Sequence, residues 1–180
     1  MKPFAALMPA ILLLACLASP CTALESKFFT VSEKTLSVDL GPSFEIVRGE
    51  FNASKDGIVA QEIIINNTAV PGAAFISLIS VYDDILSRTS PGALSEIFLK
   101  GSISAVEAKG DEEIGNWTTV DHQGNNVTIH TLISKDERIQ IIGGKYDIAV
   151  LNLDGPIYAV VISLFDKDNT TQTIKTLAVG

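Results

Sequence analysis

Cysteine is almost missing from this chain of 180 residues: Cys16 and Cys21 are the two present, and none lies between Leu24 and Gly180. That stretch therefore has no material for a disulfide framework, a cysteine nucleophile or a thiolate metal site. Histidine is nearly as scarce, with His122 and His130 the two present. A hydrolase triad needs a base oriented by an acid beside a nucleophile, and no G-x-S-x-G elbow is there to present a serine. A zinc site built on the same two histidines has no third ligand at a suitable spacing. One tryptophan and 7% aromatic residues leave little with which to stack sugars. Glycine does not form a phosphate cradle, because Gly143-Gly144 stands alone and reads as a turn. Basic residues are outnumbered, 13 against 21 acidic, for a net charge of −8. Nucleic acids and anionic lipid surfaces would repel such a chain.

Hard oxygen ligands are better supplied, in Asp166-Lys167-Asp168-Asn169 and in Asp83-Asp84. The first run carries Thr171 where a calcium loop of the EF-hand type needs glycine. Helix capping by Asp168 or Asn169 accounts for it without an ion. The sequence thus assigns no catalytic, cofactor-binding or metal-ligating residue, and the expected cofactor complement is none.

What is present begins with the N-terminus. Lys2 precedes an apolar run from Phe4 to Leu17, and Ala18-Ser19-Pro20-Cys21-Thr22-Ala23 is a small-residue exit. These features predict a secretory signal peptide over residues 1–23, cut after Ala23. The run is shorter than the roughly 20 residues that cross a bilayer. A second cut is open, since Leu13-Leu14-Ala15-Cys16 resembles a lipobox that would leave a lipid-modified Cys16 as the new N-terminus. Residues 24–180 are then expected to form a single secreted or cell-surface domain. N-x-Ser/Thr patterns at Asn52, Asn66, Asn116, Asn126 and Asn169 are candidate N-glycosylation sites in that setting.

Within the domain, Leu24 to Glu33 reads as a lead-in without periodicity. Thr35–Leu40, Phe44–Phe51, Ile58–Asn66 and Ala73–Tyr82 read as strands, with a turn at Ser54-Lys55-Asp56-Gly57 making the middle two a hairpin. Ser90-Pro91 starts a helix that carries Leu94, Ile97, Phe98 and Ala105 at helical spacing. Lys109–Glu113 reads as an exit loop. Trp117–Val120 and Val127–Ile133 make a hairpin around Gln123-Gly124-Asn125, and Arg138–Ile142 reads as one more short strand. Asp147–Leu153 and Ile157–Phe165 follow as strands joined by Asp154-Gly155-Pro156, the second apolar enough to be buried on both faces. A last helix is capped within Asp166–Asn169 and runs through Thr173, Ile174, Leu177 and Ala178. The predicted class is α+β: a mainly antiparallel sheet with one mid-chain and one C-terminal helix packed on it.

The segment from Tyr146 through Asp154-Gly155 and Tyr158-Ala159-Val160-Val161 to the helix before Leu177 resembles the C-terminal part of PsbP-like sandwich domains. The resemblance implies an α-β-α sandwich and carries no functional residue with it. The function expected is a non-catalytic binding or structural module outside the membrane. It would use a sheet face or the loops around Asp111-Glu112-Glu113 and Gly143-Gly144 to meet a protein or small molecule at the cell exterior. Membrane contact is expected only if the N-terminus is retained or lipidated. The alternative is a small extracytoplasmic hydrolase whose site is assembled from distant carboxylates and His122 or His130.

Overall fold

A computed structural model describes residues 24–180 apart from 32, 33, 56, 70, 84 and 85. The expected leader over 1–23, with Cys16 and Cys21, lies outside the described residues, as does Asp84 of the Asp83-Asp84 pair. Ten strands form two antiparallel sheets. The smaller joins β1 (Glu25–Val31), β2 (Lys34–Leu40) and β10 (Ala178–Val179), with β2 in the middle. The larger holds β3 (Phe44–Lys55), β4 (Ile58–Asn67), β5 (Ala73–Val81), β6 (Glu112–Val120), β7 (Asn126–Ile133), β8 (Lys145–Asp154) and β9 (Ile157–Ser163). Its order is β3-β4-β5-β9-β8-β7-β6, which leaves β3 and β6 at the two edges.

Every neighbouring pair in the large sheet is antiparallel, and β8 and β9 sit at its centre. Both are buried on both faces, as their near-continuous apolar composition requires. On one face α1 (Pro91–Glu107) crosses β8 and β9. Leu94 and the edge-to-face pair Phe98–Tyr158, with ring centroids 5.2 Å apart, fill the space beneath its first half. Leu99 and Val106 meet Leu132, Tyr146 and Ile148 beneath its second half. On the other face the small sheet and α3 (Lys167–Thr176) enclose the main core. Leu36, Val38 and Leu40 from β2 and Ile174 from α3 point there at Ile63, Ile76, Ile129, Leu151 and Val161. Thr176 and Gln172 tie α3 to the backbone of Asp39 in β2.

The antiparallel α+β architecture and its two principal helices match the expected class, and Ser90 caps α1 with Pro91 at its first position. Five local expectations are corrected. Leu24–Glu33 is no lead-in: β1 pairs with β2 from Glu25↔Leu40 to Val31↔Lys34. Its alternation is invisible because Phe29 packs on the core while its neighbour Phe28 is 68% exposed. Arg138–Ile142 is not a strand, since α2 (Glu137–Gln140) begins at Asp136, whose side chain accepts from the Arg138 amide. The exit loop is shorter than read, because Glu112 and Glu113 already belong to β6. The last helix stops at Thr176, and Ala178–Val179 turn back as β10 to pair with Ser37 and Leu36. Similarly, β9 stops at Ser163, short of Phe165.

Candidate functional site

The loops that the sequence singles out, around Asp111 and around Gly143-Gly144, meet at one end of the α1 face. After α1 the chain reverses at Gly110 and presents Asp111 just ahead of β6. β7 delivers Ser134 and Lys135 to the same place, and β8 delivers Tyr146 opposite Leu132. Asp111 gathers them. Its Oδ2 accepts from the Tyr146 hydroxyl at 2.6 Å, and its Oδ1 accepts from the Lys135 amide at 2.7 Å and from Ser134 Oγ at 3.3 Å. Burial works against ionisation of this carboxyl, but the hydrogen bonds from Tyr146, Lys135 and Ser134 outweigh it. The net effect holds Asp111 below the ordinary aspartate range. Burial, with the carboxylate beside it, pushes the Tyr146 hydroxyl upward, so it stays a donor.

The second loop is pinned to the first. Ser134 donates its amide to the Gly144 carbonyl at 2.8 Å, and the Gln140 side chain donates to the Ser134 carbonyl. Gly143 and Gly144 have φ of 113° and 72°, a left-handed pair that ends α2 and returns the chain to β8. Asp136 holds the start of α2 and is bridged by Arg138 at 2.6 Å; the hydrogen bonds from Arg138 hold its carboxyl down at about 2.

Between these loops and the end of α1 lies a cleft of about 410 Å³. Phe75, Val106, Ile139, Ile162 and Leu164 make its walls apolar, while Lys109, Lys135, Asp111 and Asp136 supply charge of both signs. Beside it the α2 turn carries Ile141, 84% exposed, and Ile142, 41% exposed. An apolar trough with a few polar groups and an exposed aliphatic lip has the features by which binding clefts are recognised. The sheet and helix under it are the same ones that form the core.

A second cleft, of about 500 Å³, lies at the other end of α1 and is walled by Ser95, Glu96, Asn125, Asn126, Thr128 and Asn152. The carboxylate at its base, Asp121, is 6% exposed and already accepts from the amides of Gln123 and Asn125 and from Asn125 Nδ2. It shapes the β6–β7 turn. Asn152 likewise donates to the carbonyls of Gly155 and Ile157.

Neither histidine lines either cleft. His122 is exposed in the β6–β7 turn, and His130 Nδ1 lies 2.8 Å from Glu113 Oε1 across the two strands. Asp166, rather than Asp168 or Asn169, caps α3, accepting from the Asn169 amide at 2.8 Å and from Asn169 Nδ2 at 3.0 Å. Among the described residues no group of three histidines, cysteines or acids is close enough to hold a metal ion. Of the sequon asparagines, Asn52, Asn116 and Asn126 are exposed and Asn66 is half-buried.

Sequence reasoning passes over one buried acid. Asp147, the third residue of β8, is 9% exposed on the sheet face that meets α3. It accepts from Thr131 Oγ1 at 2.6 Å and from Trp117, whose ring lies 4.8 Å from Lys167 Nζ. Burial raises its proton affinity above the ordinary aspartate level despite these donors and the nearby Lys167 charge. The available signal was a lone acid heading the apolar run Ile148–Leu151. It ends the main core and lines no cleft described above. No family model, no curated protein and no solved structure matches this chain.

Proposed function

We propose that this chain is an extracytoplasmic, non-catalytic binding module, exported by a leader that ends at Ala23, and that its ligand site is the cleft bounded by Asp111, Lys135, Ile139 and Tyr146. The observation that carries the reading is the convergence of separate loops on Asp111, which fixes charged groups of both signs around an apolar trough. Such a site suits a peptide segment on a protein partner: an apolar side chain in the trough, backbone or charged groups at the rim, and Ile141 as an added contact. Placing the domain with PsbP-like sandwiches rests on the resemblance of the segment from Tyr146 to Leu177; around the large sheet, α1 covers one face and α3 with the small sheet covers the other.

The test is to select binders from a random heptapeptide library against the folded domain and record amide chemical-shift changes. Shifts centred on Asp111, Lys135, Ile139 and Tyr146, abolished by Ile139→Asp, support the cleft. Shifts centred on the second cleft or on β1 overturn it.

The hydrolase reading has one observation in its favour, the His130–Glu113 pair, since a carboxylate on Nδ1 is how a catalytic imidazole is oriented. The pair stands on the open β6–β7 hairpin, outside both clefts. Turnover of chromogenic ester or glycoside substrates that is lost in His130→Ala would restore it.

A further inference from the structure

Among the described residues no strand pairs with the seven-stranded sheet beyond its two ends, and an open strand invites a second chain to pair with it. β3 and β6 are those ends, and both carry exposed sequons. Asn52 lies in β3 opposite Gln61, beside the irregularity that begins after Arg48. Asn116 lies in β6 opposite His130. Asn126 starts β7, paired with Val120 of β6. At each of these sites the hydroxyl partner of the motif, Ser54, Thr118 or Thr128, is exposed as well. The remaining sequons differ. Asn169 spends its Nδ2 on Asp166 in the α3 cap, and its motif partner Thr171 is half-buried on that helix. Asn66 is half-buried in β4, and its partner Thr68 donates to the Ser43 carbonyl at 2.8 Å.

We infer that Asn52, Asn116 and Asn126 carry N-linked oligosaccharide, that Asn66 and Asn169 do not, and that the sugars keep the edges of the large sheet from pairing with another copy of the chain. The inference rests on the export reading above, because the modification takes place outside the cytoplasm. In the transfer, the asparagine Nδ2 forms a bond to C1 of the first sugar of a lipid-linked oligosaccharide. The bond from C1 to the phosphate oxygen breaks, the lipid phosphate leaves with that electron pair, and Nδ2 gives up one proton to solvent. The host transferase supplies the catalysis. What the fold decides is where a bulky polar chain can be carried once folding is complete. On β3, β6 and the start of β7 it projects into water. On Asn169 it would take one of the two Nδ2 hydrogens and crowd the α3 cap, so a chain so modified would fold less stably.

The placement also divides the two clefts beside α1. Asn126 stands in the wall of the second, so a sugar there covers it, while the cleft around Asp111 stays clear.

The full chain is expressed with its own leader in a secreting eukaryotic host, and the folded protein is taken through N-terminal sequencing and site-by-site glycan mapping. Expected are a start at Leu24 and occupancy at Asn52, Asn116 and Asn126 alone. A start at Leu24 with bare asparagines, or with sugar on Asn66 or Asn169, overturns the inference and leaves export standing. Cell-retained protein still starting at Met1 overturns export, and the inference with it. Edge protection is read by light scattering on two sugar-free proteins, Asn52→Gln/Asn116→Gln/Asn126→Gln and Ser54→Ala/Thr118→Ala/Thr128→Ala. Both should self-associate at concentrations where the glycosylated protein is monomeric. Two folded, monomeric variants would refute the protective role.

Discussion

Asp147 is buried and Asp111 half-buried, both accept hydrogen bonds, and their proton affinities move in opposite directions. At Asp147 burial prevails and the folded state binds the proton more tightly than the unfolded chain. Its contribution to stability is therefore fully present below the ordinary aspartate value of about 4 and is lost as pH rises through the higher folded value. Asp147→Asn removes the charge and leaves an oxygen to accept from Thr131 and Trp117. Its Tm should exceed that of the parent at pH 7, with the gap closing below about pH 4; a lower Tm at pH 7 would show that the charge itself is needed. At Asp111 the donors prevail, so stability is present above the ordinary value and is lost as pH falls through the lowered folded one. Asp111→Asn keeps one acceptor oxygen and turns an amide donor toward either the Tyr146 hydroxyl or the Lys135 amide. By urea titration it should lose about 1–3 kcal/mol at neutral pH, and less once the pH has fallen through the lowered folded value and the parent is protonated as well. An undiminished loss in acid would mean that the charge plays no part.

Element by element, the legible parts were those whose cause lies within a few residues. Ser90-Pro91 starts α1 because a hydroxyl and a missing amide act locally, and the β6–β7 hairpin follows from its own turn. β1 and β10 escaped notice because each is stabilised by β2, and nothing in Glu25–Val31 repeats with a period of two. In Arg138–Ile142 the apolar spacing of a strand competed with an Asp136 cap, and the cap prevailed, helped by two left-handed glycines beyond it. The cleft was half legible for the same reason. Its loops show themselves as charged and glycine-bearing, whereas the bond from Tyr146 to Asp111 spans 35 residues and has no sequence signature. The caps themselves can be ranked. Asp166 makes two bonds to Asn169, at 2.8 Å and 3.0 Å, and lies at the positive end of the helix dipole. Ser90 makes one, at 3.4 Å. Asp166→Ala should therefore cost about 1–2 kcal/mol and Ser90→Ala less than about 1 kcal/mol by urea titration. The reverse order would mean that α3 is held by Ile174 and Thr173 alone.

At the scale of the whole molecule the large sheet carries core on both faces: Leu94, Tyr158 and Val81 together with Leu132, Tyr146 and Ile148 on the α1 side, and Ile174 with β2 and the opposite sheet face on the other. β8 and β9 contribute side chains to both, alternately, so neither core can be lost without exposing strands that the other still needs. Leu94→Ala and Ile174→Ala each leave a buried void, and each should lower stability by about 2–5 kcal/mol. Because the sites lie on opposite faces with no common neighbour in these clusters, the double variant should lose their sum to within about 0.5 kcal/mol. Each variant should still unfold in one transition by fluorescence and by circular dichroism. With total stability of a domain this size about 5–15 kcal/mol, the double variant would give up about 4–10 kcal/mol of it, a large share of the whole. Two separated transitions in Ile174→Ala would instead mean that α3 and the small sheet melt on their own. The large sheet with α1 would then be the folding unit, and Trp117, which packs on the α3 side, would report the early step while far-ultraviolet signal lagged behind.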